Sequence, residues 1–321
     1  MSIKIYPLQF EPILKDRIWG GEKLKTVLNK PITSQITGES WELSTVEGDV
    51  SVVANGELKG KSLTEIINES PNEILGTAVY KRFGHQFPLL FKYLDAREDL
   101  SIQVHPNDKL AKERHNSFGK TEMWYVMQAD TDARIIVGFK ENSSKEEYLE
   151  HLNNNSLVSI LDDVKAKAGD VFFLETGTVH AIGAGLVVAE IQQTSDITYR
   201  LYDFDRVDAQ GNKRELHVDL ALDAINYNRV DTHKKYETIP NQSNAIVNCP
   251  YFITNFIALD GKTEGNKNGE TFTVYMCIEG SFEIRYENVT YQYKKGDTVL
   301  IPAAMRGYIL DGSASILEVF I

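Results

Sequence analysis

The chain has 321 residues, 42% of them hydrophobic and 25% charged, with a formal net charge of −12 and a pI of about 5.1. These are ordinary globular values with enough apolar material for a real core. The acidic balance argues against broad nucleic-acid binding, which draws most of its affinity from Lys and Arg on phosphates, but allows a small phosphorylated ligand held in a local cationic pocket. The segment "SLTEIINESPNEILG" (62–76) reads as two short helices split at Pro71, the first with Ser62 and Glu65 as a capping box. Strand patterns follow in "FPLLFKYLDA" (87–96), "LSIQVH" (100–105), "TEMWYVMQA" (121–129) and "ARIIVGF" (133–139), rich in β-branched and aromatic residues. "SSKEEYLEHLNNN" (143–155) predicts a Ser-capped helix. Strands resume at "DVFFLE" (170–175) and "GLVVAEIQQ" (185–193), and "RELHVDLALDAIN" (214–226) predicts a helix with Leu216, Leu220 and Ile225 on its apolar face. The polar "THKKYETIPNQSNA" (232–245) reads as a linker, after which the strand pattern returns to the end of the chain. The expected division is residues 1–235 and 236–321.

Cys249 and Cys277 form no CxxC and no cluster, which fits a reducing compartment. No signal-type h-region and no stretch of about 18 uninterrupted apolar residues is present. The expectation is a soluble cytoplasmic protein with no membrane partner.

An internal repeat organises the chain. "TEMWYVMQAD…KAGDVFFLETGTVHAIG" (121–183) echoes "TFTVYMCIEG…KKGDTVLIPAAMRGY" (271–308). Read residue against residue, Gly169 matches Gly296, Glu175 matches Pro302 and Gly177 matches Ala304; His180 falls opposite Gly307 and Glu122 opposite Phe272. The first copy is therefore expected to carry the polar chemistry and the second to be packing.

Gln103 and His105 lie two apart, so on a strand they project to one side. Glu122 and His180 come from two further segments of the same repeat. A lone strand histidine is more often a hydrogen-bonded core or surface residue than a ligand. The four together resemble the two-part signature of cupins, small jelly-roll barrels with a metal in the mouth, with Gln103 where the first motif's usual His would stand. Two imidazoles, a carboxylate and an amide oxygen suit Zn²⁺, Mn²⁺, Fe²⁺, Co²⁺ or Ni²⁺ without choosing among them, and Gln103 is either a ligand or a neighbour that steers one. His115, His151 and His233 lack such company and read as solvated.

The motifs "RIWGGEKL" (17–24), "GESWELS" (38–44), "FPLLFKYLDAREDLSIQVHPND" (87–108), "GKTEMWYV" (119–126), "GTVHAIGAGLVVAEIQQTSDITYRLYDFDR" (177–206) and "RELHVDLAL" (214–222) together resemble type I mannose-6-phosphate isomerase (phosphomannose isomerase), in its short bacterial form without the large helical domain of longer members. The resemblance implies a mainly β fold of two cupin-like jelly-roll barrels in tandem with a few short helices. It implies zinc, one ion per chain, on Gln103, His105, Glu122 and His180, and interconversion of mannose 6-phosphate and fructose 6-phosphate through a cis-enediol. It places a catalytic Arg at Arg200, with Glu190 and Lys120 as neighbouring motif residues.

The chemistry needs a base at carbon, a stabiliser for the enediolate and a grip on phosphate. Arg200, permanently charged, suits stabilisation or substrate binding. Glu190, sharing a strand face with Gln192 and Val188, is a candidate base whose pKa apolar neighbours would raise, or else one half of a salt bridge with Arg200 or another cation. Lys120 points to the side of Glu122 and is a candidate for acid–base work or phosphate. Lys92 and Arg206 are further phosphate candidates, though a single such cation is ordinarily a solvated surface charge. Trp19, Trp41 and Trp124 are ordinarily core; Trp124, sharing a face with Glu122, could wall the site. Other readings of the same residues are a cupin acting on another sugar phosphate, a redox-metal cupin oxygenase, and a non-catalytic carbohydrate-binding cupin.

Overall fold

The computed structural model describes residues 3–207, 210–265 and 268–321. The first unit is two facing sheets. One has seven strands, in the order Ile13–Gly21, Thr37–Leu43, Leu89–Ala96, Leu186–Gln193, Glu122–Ala129, Val171–Leu174 and His233–Lys234. The other has five, Tyr199–Tyr202, Ile102–Val104, His180–Ile182, Arg134–Phe139 and Leu161–Lys165. The second unit is a six-stranded sheet bent onto itself, built on Ile253–Gly265, Thr273–Tyr286 and Tyr308–Phe320. A register shift between Cys277 and Glu279 lets the middle strand turn the corner. The fold is mainly β, the cupin jelly roll doubled.

Side-chain alternation explains why strand Leu186–Gln193 reads as an almost unbroken apolar run: both its faces are covered. Leu186 and Val188 face the first unit's interior with Trp124, Ile135 and Phe172. Val187, Ala189 and Ile191 face outward against the N-terminal helices and the second unit. The outer face of the five-stranded sheet is covered by Tyr148, Leu157, Ala221 and Ile225. No described helix is long and apolar enough to cross a membrane.

The helices predicted at 62–76 form as Leu63–Glu69, with both arms of the Ser62–Glu65 capping box, and Pro71–Ile74. Ser144 caps Lys145–Asn153. The helix expected over 214–226 is shorter, Val218–Leu222, and Leu216 and Leu220 are exposed. Residues 214–217 instead run beside strand Tyr199–Tyr202, where the His217 amide donates to the Arg200 carbonyl.

The repeat is present in three dimensions, but one residue out of the sequence alignment. The turns at Gly169 and Gly296 have the same left-handed backbone, φ 92° and 91°. Each glycine amide donates to the preceding strand, Gly169 to Val126 and Gly296 to Cys277. Val126 therefore corresponds to Cys277, and Glu122 to Thr273 rather than Phe272. Phe272 points away from the barrel interior and packs on Phe87 between the units, ring centroids 4.8 Å apart. His180 corresponds to Tyr308 rather than Gly307: His180 pairs with Gln103 and sits edge-on to Trp124, and Tyr308 pairs with Gly265 and sits edge-on to Tyr275.

Candidate metal centre and its cavity

His180 faces Gln103 across paired antiparallel strands, Glu122 opens the strand beside Val171–Leu174, and His105 stands one residue beyond strand Ile102–Val104, before Pro106. The Nδ1 of His105 lies 2.8 Å from the Ile197 carbonyl, and that of His180 2.8 Å from the Thr178 carbonyl. A carbonyl accepts only, so each Nδ1 carries the proton and each Nε2 presents a lone pair inward. His180 Nε2 is 3.3 Å from Glu122 Oε1, and His105 Nε2 is 3.5 Å from Glu122 Oε2. Yet His105 Nε2 and both Glu122 oxygens are buried with no hydrogen-bond partner. Three orphaned acceptors around one point fit a cation: donors about 2.1 Å from a tetrahedral metal lie about 3.4 Å from one another. The Gln103 amide end lies 3.3 Å from His180 Nε2, and turned over, its oxygen occupies that position as a fourth donor.

Burial dominates the electrostatics of this cluster. It lifts the Glu122 carboxyl to about 8, against the pull of Lys120. It holds His180 at about 4 and His105 well below its usual range, so both imidazoles are ready to ligate at neutral pH. A bound cation would ionise Glu122. Lys120, itself buried, stands 3.5 Å from Glu122 Oε2.

Beside the cluster lies a cavity of about 530 Å³, which Gln103, of the four candidate ligands, lines directly. Gln103, Lys120, Trp124, Glu190, Lys92 and Arg200 all line it. Along one face of the seven-stranded sheet Trp41, Lys92, Glu190 and Trp124 stand side by side in register. Lys92 donates to Glu190 Oε2 at 2.9 Å and to Gln192 Oε1 at 2.7 Å, and Trp124 Nε1 donates to Glu190 Oε1 at 3.0 Å. This overturns two expectations and bears out a third. Glu190 is not raised: Lys92, then Lys120, outweigh burial and bring it to about 2. Of the expected salt bridge with Arg200 or another cation, the second alternative holds, and the partner is Lys92. Lys92 is no solvated surface charge but 5% exposed, and its carboxylate neighbours Glu190 and Glu39 keep it above the usual lysine range despite burial.

Arg206 is not a free surface cation either. It binds Asp203 and the Asp99 carbonyl and is not among the cavity-lining residues. All three tryptophans are buried, and all three line the cavity. His151 is half-buried on Ser156 rather than solvated; His115 and His233 are exposed. Sequence reasoning passed over Arg17, Glu39 and Arg214. Arg17 holds Glu39 with two 3.0 Å hydrogen bonds, and Glu39 accepts from Trp41 Nε1. The available signal was that these residues sit in long motifs, "RIWGGEKL", "GESWELS" and "RELHVDLAL", to which no role had been given.

The polar residues were expected in the first unit only, and here the second differs: it also buries a polar row. At the corresponding register it carries Asn255, Glu318 and Tyr275, with Glu318 buried and accepting from Ser243 Oγ (2.6 Å), Asn255 Nδ2 (3.0 Å) and Tyr275 OH (3.3 Å). At the ligand positions, however, stand Gly265, Thr273 and Tyr308. The one metal-type His/Cys/Asp/Glu group among the described residues is His105, Glu122 and His180.

Residues 8–135 match the sequence profile described as "Phosphomannose isomerase type I, catalytic domain", and residues 242–321 match "Mannose-6-phosphate isomerase, cupin domain". The chain is 38% identical to mannose-6-phosphate isomerase ManA of Bacillus subtilis, across 96% of each chain. It is 35% identical to the mannose-6-phosphate isomerase of Streptococcus mutans, across 97% of each. Its fold superposes on the crystal structure of the mannose 6-phosphate isomerase from Bacillus subtilis with a TM-score of 0.89 at 36% identity, covering 98% of this chain and 99% of that one.

Proposed function

The chain belongs to the type I mannose-6-phosphate isomerase family, and from that premise we propose that it interconverts mannose 6-phosphate and fructose 6-phosphate using one zinc ion on His105, Glu122, His180 and Gln103. The observation that carries the metal is the set of orphaned, inward-facing acceptors on His105 and Glu122. The chemistry a divalent cation supplies at such a site is Lewis-acid polarisation of a carbonyl oxygen and neutralisation of enediolate charge.

The reaction takes the proton from C2 of the aldose and returns one to C1, while a hydroxyl proton leaves O2 and another arrives at O1. Two buried groups beside the ligands can serve proton transfer, Lys120 and Glu190. Glu190 is a poor base with its pKa at about 2 and each oxygen already accepting one hydrogen bond. In our reading it is a fixed anion, whose remaining lone pairs accept from sugar hydroxyls and orient the chain. Lys120 is then the group that moves the proton at carbon. Arg200 stabilises negative charge on the substrate. Trp19, Trp41 and Trp124 wall the cavity against water. Two free cysteines and a phosphorylated substrate support a reducing, cytoplasmic setting for the reaction.

A coupled assay of fructose 6-phosphate formation tests the reading. Chelation should abolish turnover and added Zn²⁺ restore it; no turnover with any divalent metal added back would overturn it.

A further inference from the structure

Most charges around the cavity are neutralised in pairs: Arg17 with Glu39, Lys92 with Glu190. One end is different. Arg206 and Arg214 converge there on a single buried carboxylate, Asp203, with Arg200 within its electrostatic reach. Arg214 grips it with two parallel hydrogen bonds, Nε to Oδ2 at 2.7 Å and Nη2 to Oδ1 at 2.5 Å. Arg206 binds the same carboxylate from behind and stacks on Phe204. The turn that brings Arg206 back onto Asp203 puts two successive non-glycine residues, Phe204 and Asp205, in the left-handed region, φ 53° and 56°. Arg200 reaches no carboxylate: its Nη1 donates to the Glu215 carbonyl, and its Nε is buried without a partner. Other acids nearby leave this imbalance in place. Asp99 is taken by Arg134, Asp205 by Lys213, Glu215 extends into solvent, and Asp196 stands exposed at the cavity rim.

We propose that Arg214, aimed by Asp203, is a phosphate-binding residue that acts with Arg200 to select phosphorylated over free sugar; this rests on the mannose 6-phosphate reading. Arg200 and Arg214 both line the cavity, and Arg206 does not. Arg200 pairs in register with Gln103, which puts the metal side next to it, with Arg214 held beyond by Asp203. An extended hexose phosphate has the same polarity, reacting carbons at one end and dianion at the other. Planar guanidiniums match phosphate oxygens in bidentate geometry, and a buried guanidinium nitrogen without an acceptor is satisfied by one. Burial, then Arg214 and Arg206, depress the Arg200 pKa, a mutual repulsion that an anion relieves. Asp203 is a positioning residue: it neutralises part of the cluster and fixes the Arg214 fork.

The test uses the metal-loaded full chain. Initial rates with mannose 6-phosphate are combined with inhibition by, and calorimetric binding of, inorganic phosphate. Arg214→Gln should raise KM about 10- to 100-fold, as expected for losing a charged hydrogen bond, and weaken inorganic phosphate by a similar factor, with kcat changed less than threefold. Arg214→Lys, which keeps a cation beside Asp203 if the glutamine variant fails to fold, should lose roughly threefold to tenfold in both readouts, because the fork is gone. Lys213→Gln, removing an exposed charge one residue away, should match the wild type. Unchanged KM and phosphate binding in both Arg214 variants, or an equal loss in Lys213→Gln, would overturn the proposal. Failure of the wild type to turn over mannose 6-phosphate, with Arg214-dependent phosphate binding intact, would sink the functional reading and leave the anion site standing.

Discussion

Lys92, Glu190 and Trp124 cross the first unit on three adjacent strands; Asn255, Glu318 and Tyr275 cross the second at the same register. Both rows bury a central glutamate, and both hand it hydrogen bonds from an aromatic residue on one side. They differ in what surrounds the glutamate. In the first unit Lys92 provides a full charge, and one layer away His180, Glu122 and Gln103 converge. In the second, Asn255 takes the place of the lysine, and Tyr308, Thr273 and Gly265 take the places of the ligands. Tyr308 turns its hydroxyl onto Tyr275 at 2.8 Å; the second unit's unpartnered buried atoms, on Thr254, Thr273 and Tyr293, are hydroxyls, which can donate as well as accept, where the first leaves acceptors facing one another. A buried carboxylate alone is compatible with a purely structural barrel. In our reading the orphaned ligand set marks the first unit as the reactive one.

Substitutions at matched positions of the two units probe this contrast. The largest effect should come from Glu122→Thr, which gives the first unit the residue at its register partner. Bound metal should disappear and turnover fall about a thousandfold or more, since several kcal/mol of charge stabilisation goes with it; metal analysis and the coupled assay read both. Lys92→Met comes next. It strands Glu190 as a buried, unpaired charge, so stability should fall by about 3–5 kcal/mol, measured by denaturant unfolding. Asn255→Leu, the counterpart change, removes a neutral donor and should cost about 1–3 kcal/mol.

A smaller effect concerns pH in the chelated protein. His105 and His180 are depressed, His180 to about 4, so unfolding takes up protons up to their ordinary pKa and stability rises with pH to about 6.5. Glu122, raised to about 8, holds a proton when folded that it releases when unfolded, so its contribution declines as pH rises to about 8. Two histidines outweigh one carboxyl below about pH 6.5, and above it Glu122 acts alone. Thermal midpoints of the chelated protein should peak near pH 6.5 and decline by pH 8, and zinc should move the peak upward. A monotonic rise without metal would show that Glu122 is already ionised. The smallest effect should be that of Glu318→Gln, with turnover within twofold of wild type and stability lower by about 1 kcal/mol.

The candidate ligand set was legible because its residues fall into short motifs whose spacing survives folding: Gln103 on a strand with His105 just past its end, Glu122 at the start of another, His180 after a glycine turn. The alternation of strand Leu186–Gln193 was legible too, which is why Glu190 and Gln192 share a partner. That partner was not. Lys92 meets Glu190 through a register between strands about a hundred residues apart, and no local pattern encodes such a pairing, so its burial and the sign of the Glu190 shift were both missed. The repeat slipped by one residue because matching Thr121 to Thr271 by identity disregards the hydrogen bonds that set the hairpin register, and one residue reverses every facing side chain. Arg214 was hidden inside an apparent helix whose first turns are extended chain.

Titrating zinc into chelated protein while following turnover is the most direct test that the first unit alone holds the metal and the chemistry. Activity should rise linearly and break at one equivalent per chain, and Glu122→Thr should stay flat throughout. Turnover in the metal-free protein, or a break at two equivalents, would contradict the account.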